Sequence, residues 1–261
     1  MKAVVKLYRE PSVSNPVLIG GLPGIAYVAK LSTDYLINEL RAELFGEIYS
    51  PFFPPYVLIK KDGTVELMKN ELYCWSDRNL ERGAVIYTGN TQATSPEGQY
   101  AIAEEVLNLA ERFGVKRVFT LAAYVTERSA EKPRVYIAAT DPKLVDEMKV
   151  YGAKPMEEGS IGGTNGLLFG LAKLRGMEGI CLLGETVGYT TPTGQSLVDA
   201  KAAKAILEVL TKILGLKIDM APLESQAKAT AEIIQKIEEV ERQAIEEATR
   251  IAPPKDRMLY I

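Results

Sequence analysis

The side chains with which this 261-residue chain could do chemistry are few, because the sequence contains no histidine. Without imidazole, Ser-His and Cys-His nucleophile pairs and every histidine metal site are excluded. The two cysteines, Cys74 and Cys181, cannot supply the four ligands of a structural zinc site. Only carboxylate, Lys, Tyr and Thr side chains remain for catalysis. We predict no catalytic residue, no metal and no cofactor.

The carboxylate best placed for ligand binding is Glu185, which with Thr186 follows the apolar run at residues 180–183. The end of this run is predicted to be the carboxyl end of a parallel strand, where open α/β sheets bind ligands. Glu127 and Arg128 follow another predicted strand and are candidates to meet Glu185 as a salt bridge or a binding pair. The alternative is a structural carboxylate, hydrogen-bonded to backbone groups of neighbouring loops.

Two glycine-rich turns precede predicted helices, at residues 20–24 (Gly-Gly-Leu-Pro-Gly) and 159–166. Such a turn can bind phosphate through backbone N–H groups, or it can simply permit a tight connection from strand to helix. The first turn lacks the Lys-Ser/Thr of a P-loop and does not fit G-x-G-x-x-G, which favours the structural interpretation. The candidate ligand pocket comprises Gly21, Gly24, Glu185 and Thr186.

The C-terminal tripeptide, Leu259-Tyr260-Ile261, is the strongest functional signal. It follows a double proline, and an apolar end on a polar tail has no evident structural use. A free carboxylate can form a charge-assisted hydrogen bond with a lysine, worth about 1.5–3 kcal/mol. Tyr260 adds a flat apolar body and a hydroxyl that fixes orientation. We predict a docking element; the alternative is a tail that packs on its own domain.

The elements that must position these residues alternate between strand and helix. Apolar, β-branched-rich runs predict strands at residues 4–7, 17–19, 56–59, 84–88, 117–122, 135–139 and 180–183, and a hairpin arm at 64–68. Helical periodicity falls at 28–40, 96–113, 142–151, 165–174 and 199–214, with the fourth helix apolar nearly all round and therefore expected to be buried. This alternation predicts a three-layer α/β/α sandwich with a mostly parallel sheet.

A long helix is predicted over residues 222–251, where apolar residues recur at spacings of three and four in a heptad-like seam. Thirty residues at 1.5 Å each give about 45 Å. Pro253-Pro254 ends the helix, and the remaining residues lack a packing pattern. We therefore predict a platform domain at 1–221 and, at 222–261, a helical arm that carries a flexible docking tail.

The segment Phe52-Phe53-Pro54-Pro55-Tyr56 is predicted to be a proline-stiffened loop with large apolar side chains. Two interpretations stay open, a packed part of the core or a protein-contact patch.

Composition limits the classes of partner and compartment. A net charge of −3 offers no basic footprint, so we do not expect a nucleic-acid binder. The sequence has no apolar run of about 18–20 residues and no signal-peptide pattern at its start, so we expect no membrane association. Two isolated cysteines do not make a disulfide framework, which favours a cytoplasmic protein.

The chain resembles the proteasome assembly chaperone family, in its second-chaperone-like branch with archaeal homologues. The stretches that carry the resemblance are the first glycine turn, residues 52–55, 98–100 and 118–121, and residues 165–168 through 175–186. The resemblance implies an α/β/α fold akin to nucleoside phosphorylases, no assigned catalysis, and oligomers that bind proteasomal α subunits. It also implies that the hydrophobic-Tyr-X motif at Leu259, Tyr260 and Ile261 binds the proteasome. One departure is Gly24-Ile25-Ala26, where related sequences often have a further glycine.

The expected function is that of an ATP-independent proteasome-binding protein, either an assembly chaperone or a core-particle activator. We expect a homo-oligomer, with a tetramer formed as a dimer of dimers along the long helix as the first hypothesis. One alternative is a small-molecule-binding protein or a hydrolase- or phosphorylase-like enzyme that uses the pocket near Gly21, Gly24 and Glu185. Another is a structural oligomer whose tails serve self-association.

Overall fold

A nine-stranded sheet lies between two layers of helices in the computed structural model, which describes residues 3–77, 81–128, 130–190, 194 and 196–251. Side chains of the last helix are described up to residue 243, apart from those of residues 238 and 241. The strands are β1 (Val4–Leu7), β2 (Pro16–Gly20), β3 (Glu43–Tyr49), β4 (Val57–Ile59), β5 (Val65–Leu67), β6 (Asn70–Asp77), β7 (Arg82–Gly89), β8 (Arg117–Val125), β9 (Val135–Ala139), β10 (Lys154–Pro155) and β11 (Glu178–Thr186). The helices are α1 (Val28–Leu40), α2 (Pro96–Arg112), α3 (Pro142–Lys149), α4 (Gly163–Leu174), α5 (Ala200–Leu214) and α6 (Ala221–Ile251), and a 3-10 turn at Ile25–Tyr27 precedes α1.

The main sheet is mixed, with the strand order β1-β3-β6-β7-β2-β8-β11-β9-β10. Of the eight pairings described, four are parallel and four are antiparallel. The expectation of a mostly parallel sheet is therefore wrong, although the central strands β7, β2, β8 and β11 are parallel to one another. The sequence patterns missed β3 and β6, because glycine and polar residues interrupt the apolar runs of these strands. They also missed the two-residue β10.

The core consists of one apolar layer on each face of the sheet, which confirms the three-layer α/β/α fold. Alternation along β2 places Ile19 in the layer beneath α1, α3 and α5, and Leu18 in the layer beneath α2 and α4. Ser95 caps the start of α2, since its Oγ accepts a hydrogen bond from Gly98 N at 3.1 Å. The expectation of a fully buried α4 is wrong, because Leu174 is 81% exposed and only one face of the helix packs on the sheet.

The last helix, α6, runs over 31 residues and begins one residue before the predicted start. At its start, Leu223 is fully buried in the platform core, beside α5. Further along, Ile233 is 48% and Val240 65% exposed, so this part of the helix lacks cover from the described platform. Burial of Leu223 attaches the arm to the platform, and the division at residues 221/222 stays a prediction. No helix in the described ranges is both long enough and apolar enough to span a membrane.

Candidate functional site

Glu185 lies at the carboxyl end of β11, as predicted, but its partner is Arg134. The Arg134 guanidinium donates from Nη2 to Oε1 at 2.6 Å and from Nε to Oε2 at 3.0 Å, and the Arg134 backbone N donates to Oε2 at 2.9 Å. Glu185 is 4% exposed. Hydrogen bonds from Arg134 hold the pKa of Glu185 below its usual value, against the opposing effect of burial. The Glu185 carboxylate is therefore held at the end of the sheet in an ion pair with Arg134.

The antiparallel register of β9 and β11 explains this pairing. Gly184 lies opposite Val135, so the next residue along β11, Glu185, lies opposite Arg134. This register depends on contacts distant in sequence, whereas Glu127 and Arg128 were candidates because they follow a predicted strand. Neither of these described residues forms the ion pair with Glu185.

Thr186 connects β11 to the start of α5. Its Oγ1 donates to Asp199 Oδ2 at 2.6 Å and accepts a hydrogen bond from Gly188 N at 3.2 Å. Asp199 in turn caps α5, because its Oδ1 accepts from Ala202 N at 2.9 Å. The hydroxyl of Thr186 thus has both a donor and an acceptor role within the fold.

A narrow cavity beside Glu185 and Thr186 separates this end of the sheet from α6. Arg128, Asp199 and Ile234 also line it, and its volume is about 60 Å³. Sites for small molecules and cofactors commonly have volumes of about 300–1,000 Å³. The space next to Glu185 is therefore much smaller than such sites.

The first glycine turn uses its backbone N–H groups inside the protein. Gly21 N donates to Tyr87 O at 3.0 Å, and Leu22 N donates to Asn165 Oδ1 at 3.1 Å. Asn165 Nδ2 donates back to Leu22 O at 3.3 Å, so one amide side chain links the two glycine-rich turns. A Cβ on Gly21 would lie 2.5 Å from Thr33 Cγ2, which explains the glycine by close packing. These N–H groups are consequently not directed at a ligand.

A second cavity, of about 430 Å³, lies between the two glycine-rich turns and is lined by Gly24, Gln92 and Asn165 among other residues. None of its lining residues carries a charge. Gln92 spans one wall, with Nε2 donating to Pro23 O at 2.6 Å and Oε1 accepting from Thr164 N at 2.9 Å. The structure thus divides the predicted pocket: Gly24 lines this cavity, Glu185 and Thr186 line the other, and Gly21 lines neither of the two.

The chain matches the model of a known protein family over most of its length. Residues 18–238 match the model of the PAC2 family. The chain belongs to the PAC2 family. This confirms the resemblance to proteasome assembly chaperones that the sequence motifs indicated.

Relatives of this PAC2 protein cover nearly the whole chain. The Methanocaldococcus jannaschii protein MJ1210 is 37% identical over 253 residues, which are 97% of this chain and 94% of that protein. The crystal structure of Pyrococcus furiosus PbaB, an archaeal proteasome activator, has 42% identity and a TM-score of 0.84, and covers 91% of this chain and 99% of PbaB. Pyrococcus furiosus PbaA, an archaeal homolog of proteasome-assembly chaperone, has 27% identity and a TM-score of 0.72, and covers 94% of this chain and 96% of PbaA.

The predicted docking residues of this PAC2 protein, Leu259, Tyr260 and Ile261, lie outside the described residues. The structure does describe the helix that leads toward them, α6, up to Ile251. The described residues include no group of three or more Cys, Asp or Glu side chains that could hold a metal ion. Both cysteines are buried, and burial raises the pKa of Cys181 to about 12.

Proposed function

We propose that this PAC2 protein is a cytoplasmic, ATP-independent binder of the proteasome core particle. The observation that carries the proposal is the similarity to PbaB, an archaeal proteasome activator, at 42% identity over 91% of this chain and 99% of PbaB. The similarity to PbaA, an archaeal homolog of proteasome-assembly chaperone, also supports a proteasome-related partner. Because the identity with PbaB is higher than that with PbaA, we favour core-particle activation over assembly as the main activity.

In the proposed mechanism, the C-terminal tail enters a pocket between adjacent α subunits of the core particle. Leu259 and Tyr260 fill the apolar wall, and the Ile261 carboxylate pairs with a lysine of the core particle. The 31-residue α6, about 46 Å long at 1.5 Å per residue, carries this tail away from the platform. The tail then reaches its pocket while the platform stays outside the ring.

We propose that several tails act together from a homo-oligomer, with a dimer of dimers as the first hypothesis. A single tripeptide offers few contacts and binds weakly. Several tails on one platform raise the effective concentration at the remaining pockets, provided that the arms span the pocket spacing. Since the sequence has no P-loop for a triphosphate, gate opening would depend on a higher affinity of the tails for the open gate than for the closed one.

The decisive experiment is a native-gel shift of purified proteasome core particle with the wild-type protein, Tyr260→Ala and a deletion of residues 259–261. Met258→Ala is the matched control, because it alters the tail just before the tripeptide. We expect the wild type and Met258→Ala to bind, and the other two variants to fail with an unchanged oligomeric state. Equal binding by all four proteins would remove the tail as the anchor, and no binding by the wild type would refute the proposal.

Peptidase activity of the same mixtures separates activation from assembly. An activator should raise hydrolysis of a short peptide by mature core particle, and Tyr260→Ala should abolish the increase. Binding without any increase would assign the protein to assembly.

The enzyme alternative finds little support in the site. Glu185 is bound on both carboxylate oxygens by Arg134, and the adjoining cavity measures about 60 Å³. The larger cavity presents no charged group for acid–base work. We therefore do not propose a catalytic role.

A further inference from the structure

The cavity between the two glycine-rich turns, which we call the turn cavity, lies near the carboxyl ends of the central strands. Ala122 and Ala123 of β8 and Leu183 of β11 line it, and so do Gly24, after β2, and Gly162, before α4. Strands β2, β8 and β11 run parallel, and the crevice outside the carboxyl ends of such strands is where open α/β sheets bind ligands. The volume of about 430 Å³ lies within the range of about 300–1,000 Å³ for small-molecule sites. Position and size therefore both suit a ligand.

The lining of the turn cavity carries no charged side chain. An ion that entered would lose its hydration without meeting a charge of opposite sign, which costs far more free energy than the transfer of a neutral molecule. At the N-terminus of α4, the N–H of Thr164 is already bound by Gln92 Oε1 at 2.9 Å. Gln92 also donates to Pro23 O at 2.6 Å, so both ends of this amide are committed to the fold. These features favour an uncharged ligand over a phosphate or a carboxylate.

Two polar side chains of the lining have hydrogen-bonding capacity that the described residues do not use. Gln99 donates from Nε2 to Ala93 O at 3.2 Å, whereas its Oε1 accepts from no described residue. The hydroxyl of Ser160 likewise has no partner within the described ranges. Gln99 Oε1 requires a donor, and the Ser160 hydroxyl can donate to an acceptor. An amide group on a ligand carries both, an N–H and a C=O.

Two glycines of the lining are explained by neither packing nor backbone conformation. A Cβ on Gly162 would meet no atom within 4 Å, and a Cβ on Gly24 would meet only Leu22 O at 3.9 Å. Their φ angles, −85° and −161°, are open to any residue. Gly21, by contrast, is required by close packing, and Gly163 has a φ of 73°. Glycine at positions 24 and 162 leaves the turn cavity open, and backbone without a side chain permits close approach of a flat ligand.

The backbone beside the turn cavity is strained. Ile25, which lines the cavity, is 52% exposed, and the next two residues, Ala26 and Tyr27, have φ angles of 49° and 53°. Consecutive left-handed residues other than glycine are uncommon, and such strain is concentrated at ligand clamps and other functional sites. A hydrogen bond from Asp199 N to Ala26 O, at 2.9 Å, helps to hold this turn. The strained turn thus fixes Ile25 in the cavity wall.

We propose that the turn cavity binds a small uncharged molecule that has a planar, mostly apolar body and one amide group. The amide N–H donates to Gln99 Oε1, and the amide C=O accepts from Ser160. The body lies against Ala122, Ile161 and Leu183, whose side chains supply the apolar wall. This ligand site is separate from the proposed docking of the tail and is tested without core particle, so the failure of either proposal leaves the other standing.

The first test compares benzamide with benzoate and benzamidine, two ions of nearly the same shape. Saturation-transfer NMR of the full-length protein, with each probe titrated, measures the dissociation constants. We expect benzamide to bind with a dissociation constant on the order of 1 mM and both ions to bind at least about tenfold more weakly. Equal binding of the three probes, or no binding of benzamide at several times that concentration, would overturn the proposal.

The second test locates the probe. Gly24→Leu and Gly162→Leu each add a side chain at the cavity wall where the backbone tolerates one, and we expect the folded variants to bind benzamide at least about tenfold more weakly. The matched control is Gly170→Leu, at an exposed position of α4 outside the lining, where a Cβ also meets no atom within 4 Å. This control should bind benzamide as the wild type does. Wild-type affinity in both blocked variants would place the probe elsewhere and refute the site.

The third test reverses the charge preference. Gln99→Glu puts a carboxylate where the amide stands, with nearly the same shape. Benzamidine should then bind more tightly than benzamide, because the cation forms a charge-assisted hydrogen bond with Glu. A purely structural role of Gln99 would change the affinity of all three probes alike. An unchanged order of the probes in the folded variant would therefore contradict the assignment of Gln99 as the partner of the ligand's amide.

Discussion

Glu47 and Lys69 form the ion pair whose partners are together least exposed among the described residues, with Nζ 2.6 Å from Oε1 and side-chain exposures of 7% and 12%. Burial opposes ionisation of Glu47. Hydrogen bonds from Lys69, Tyr8 and Tyr49 outweigh that effect and lower the pKa of Glu47 to about 2. The same lysine binds Glu66 of the hairpin, so one cluster connects β3 to β5.

The first prediction concerns acid stability. The folded-state pKa of Glu47 is about 2 against an ordinary 4.5, so its stabilisation is present above pH 4.5 and is lost as the pH falls toward 2. A shift of this size corresponds to about 3 kcal/mol at neutral pH. Glu47→Gln should therefore be less stable than the wild type at pH 7 by up to about 3 kcal/mol. Urea denaturation at several pH values should show this difference vanish near pH 2.

The control for this titration is Glu232→Gln, at an exposed position of α6, which should stay within about 0.5 kcal/mol of the wild type at every pH. A constant difference between Glu47→Gln and the wild type from pH 7 to pH 2 would contradict the assigned pKa.

The second prediction separates packing from ligand binding at the first glycine turn. A Cβ at Gly21 would lie 2.5 Å from Thr33 Cγ2 and 2.6 Å from Ala29 O, whereas the nearest atom to a Cβ at Gly24 is Leu22 O at 3.9 Å. Gly21→Ala should cost about 1–3 kcal/mol of unfolding free energy, as overpacking does. Gly24→Ala should be close to neutral. Thermal unfolding of both variants checks this, and equal tolerance would show that the turn is looser than described.

The third prediction concerns the attachment of the arm. Leu223, on the first turn of α6, is fully buried in the platform core, whereas Val240 is 65% exposed. Leu223→Ala should destabilise the platform by about 2–5 kcal/mol, the range for truncation of a buried leucine. Val240→Ala should change the free energy of unfolding by less than about 0.5 kcal/mol. If both variants unfold like the wild type, the arm is not anchored through Leu223.

The sequence predicted those elements whose physical signals are local. The limits of α1 were predicted to the residue, and the predicted hairpin arm at residues 64–68 corresponds to β5, after a turn in which Gly63 has a φ of 80°. The sequence could not predict that the hairpin of β4 and β5 forms a sheet of its own, separate from the main sheet. Pairing with the main sheet depends on contacts distant in sequence, and an exposed apolar face such as that of Ile59 and Val65 looks like a core strand in a sequence pattern.

The sequence predicted where Glu185 lies but not which residue pairs with it. Glu185 was correctly placed at the carboxyl end of a strand, because an apolar run followed by a polar residue marks such an end. Its partner Arg134 depends on the antiparallel register of β9, which the composition of residues 135–139 does not encode. The docking tripeptide rests on its motif and its position, and it stays a prediction.

The last prediction tests whether Glu185 is structural. Because the Arg134 hydrogen bonds lower its pKa, the stability that Glu185 contributes is present above its ordinary pKa of 4.5 and is lost as the pH falls below that value. Glu185→Gln replaces charge-assisted bonds by neutral ones and should cost about 1–2 kcal/mol near pH 7, with a smaller deficit at pH 4. Arg134→Met should be destabilised in the same direction. Both variants should bind core particle as the wild type does, provided that binding is measured below their unfolding temperatures. Loss of core-particle binding or of peptidase stimulation by a folded Glu185→Gln would instead give this carboxylate a direct part in function.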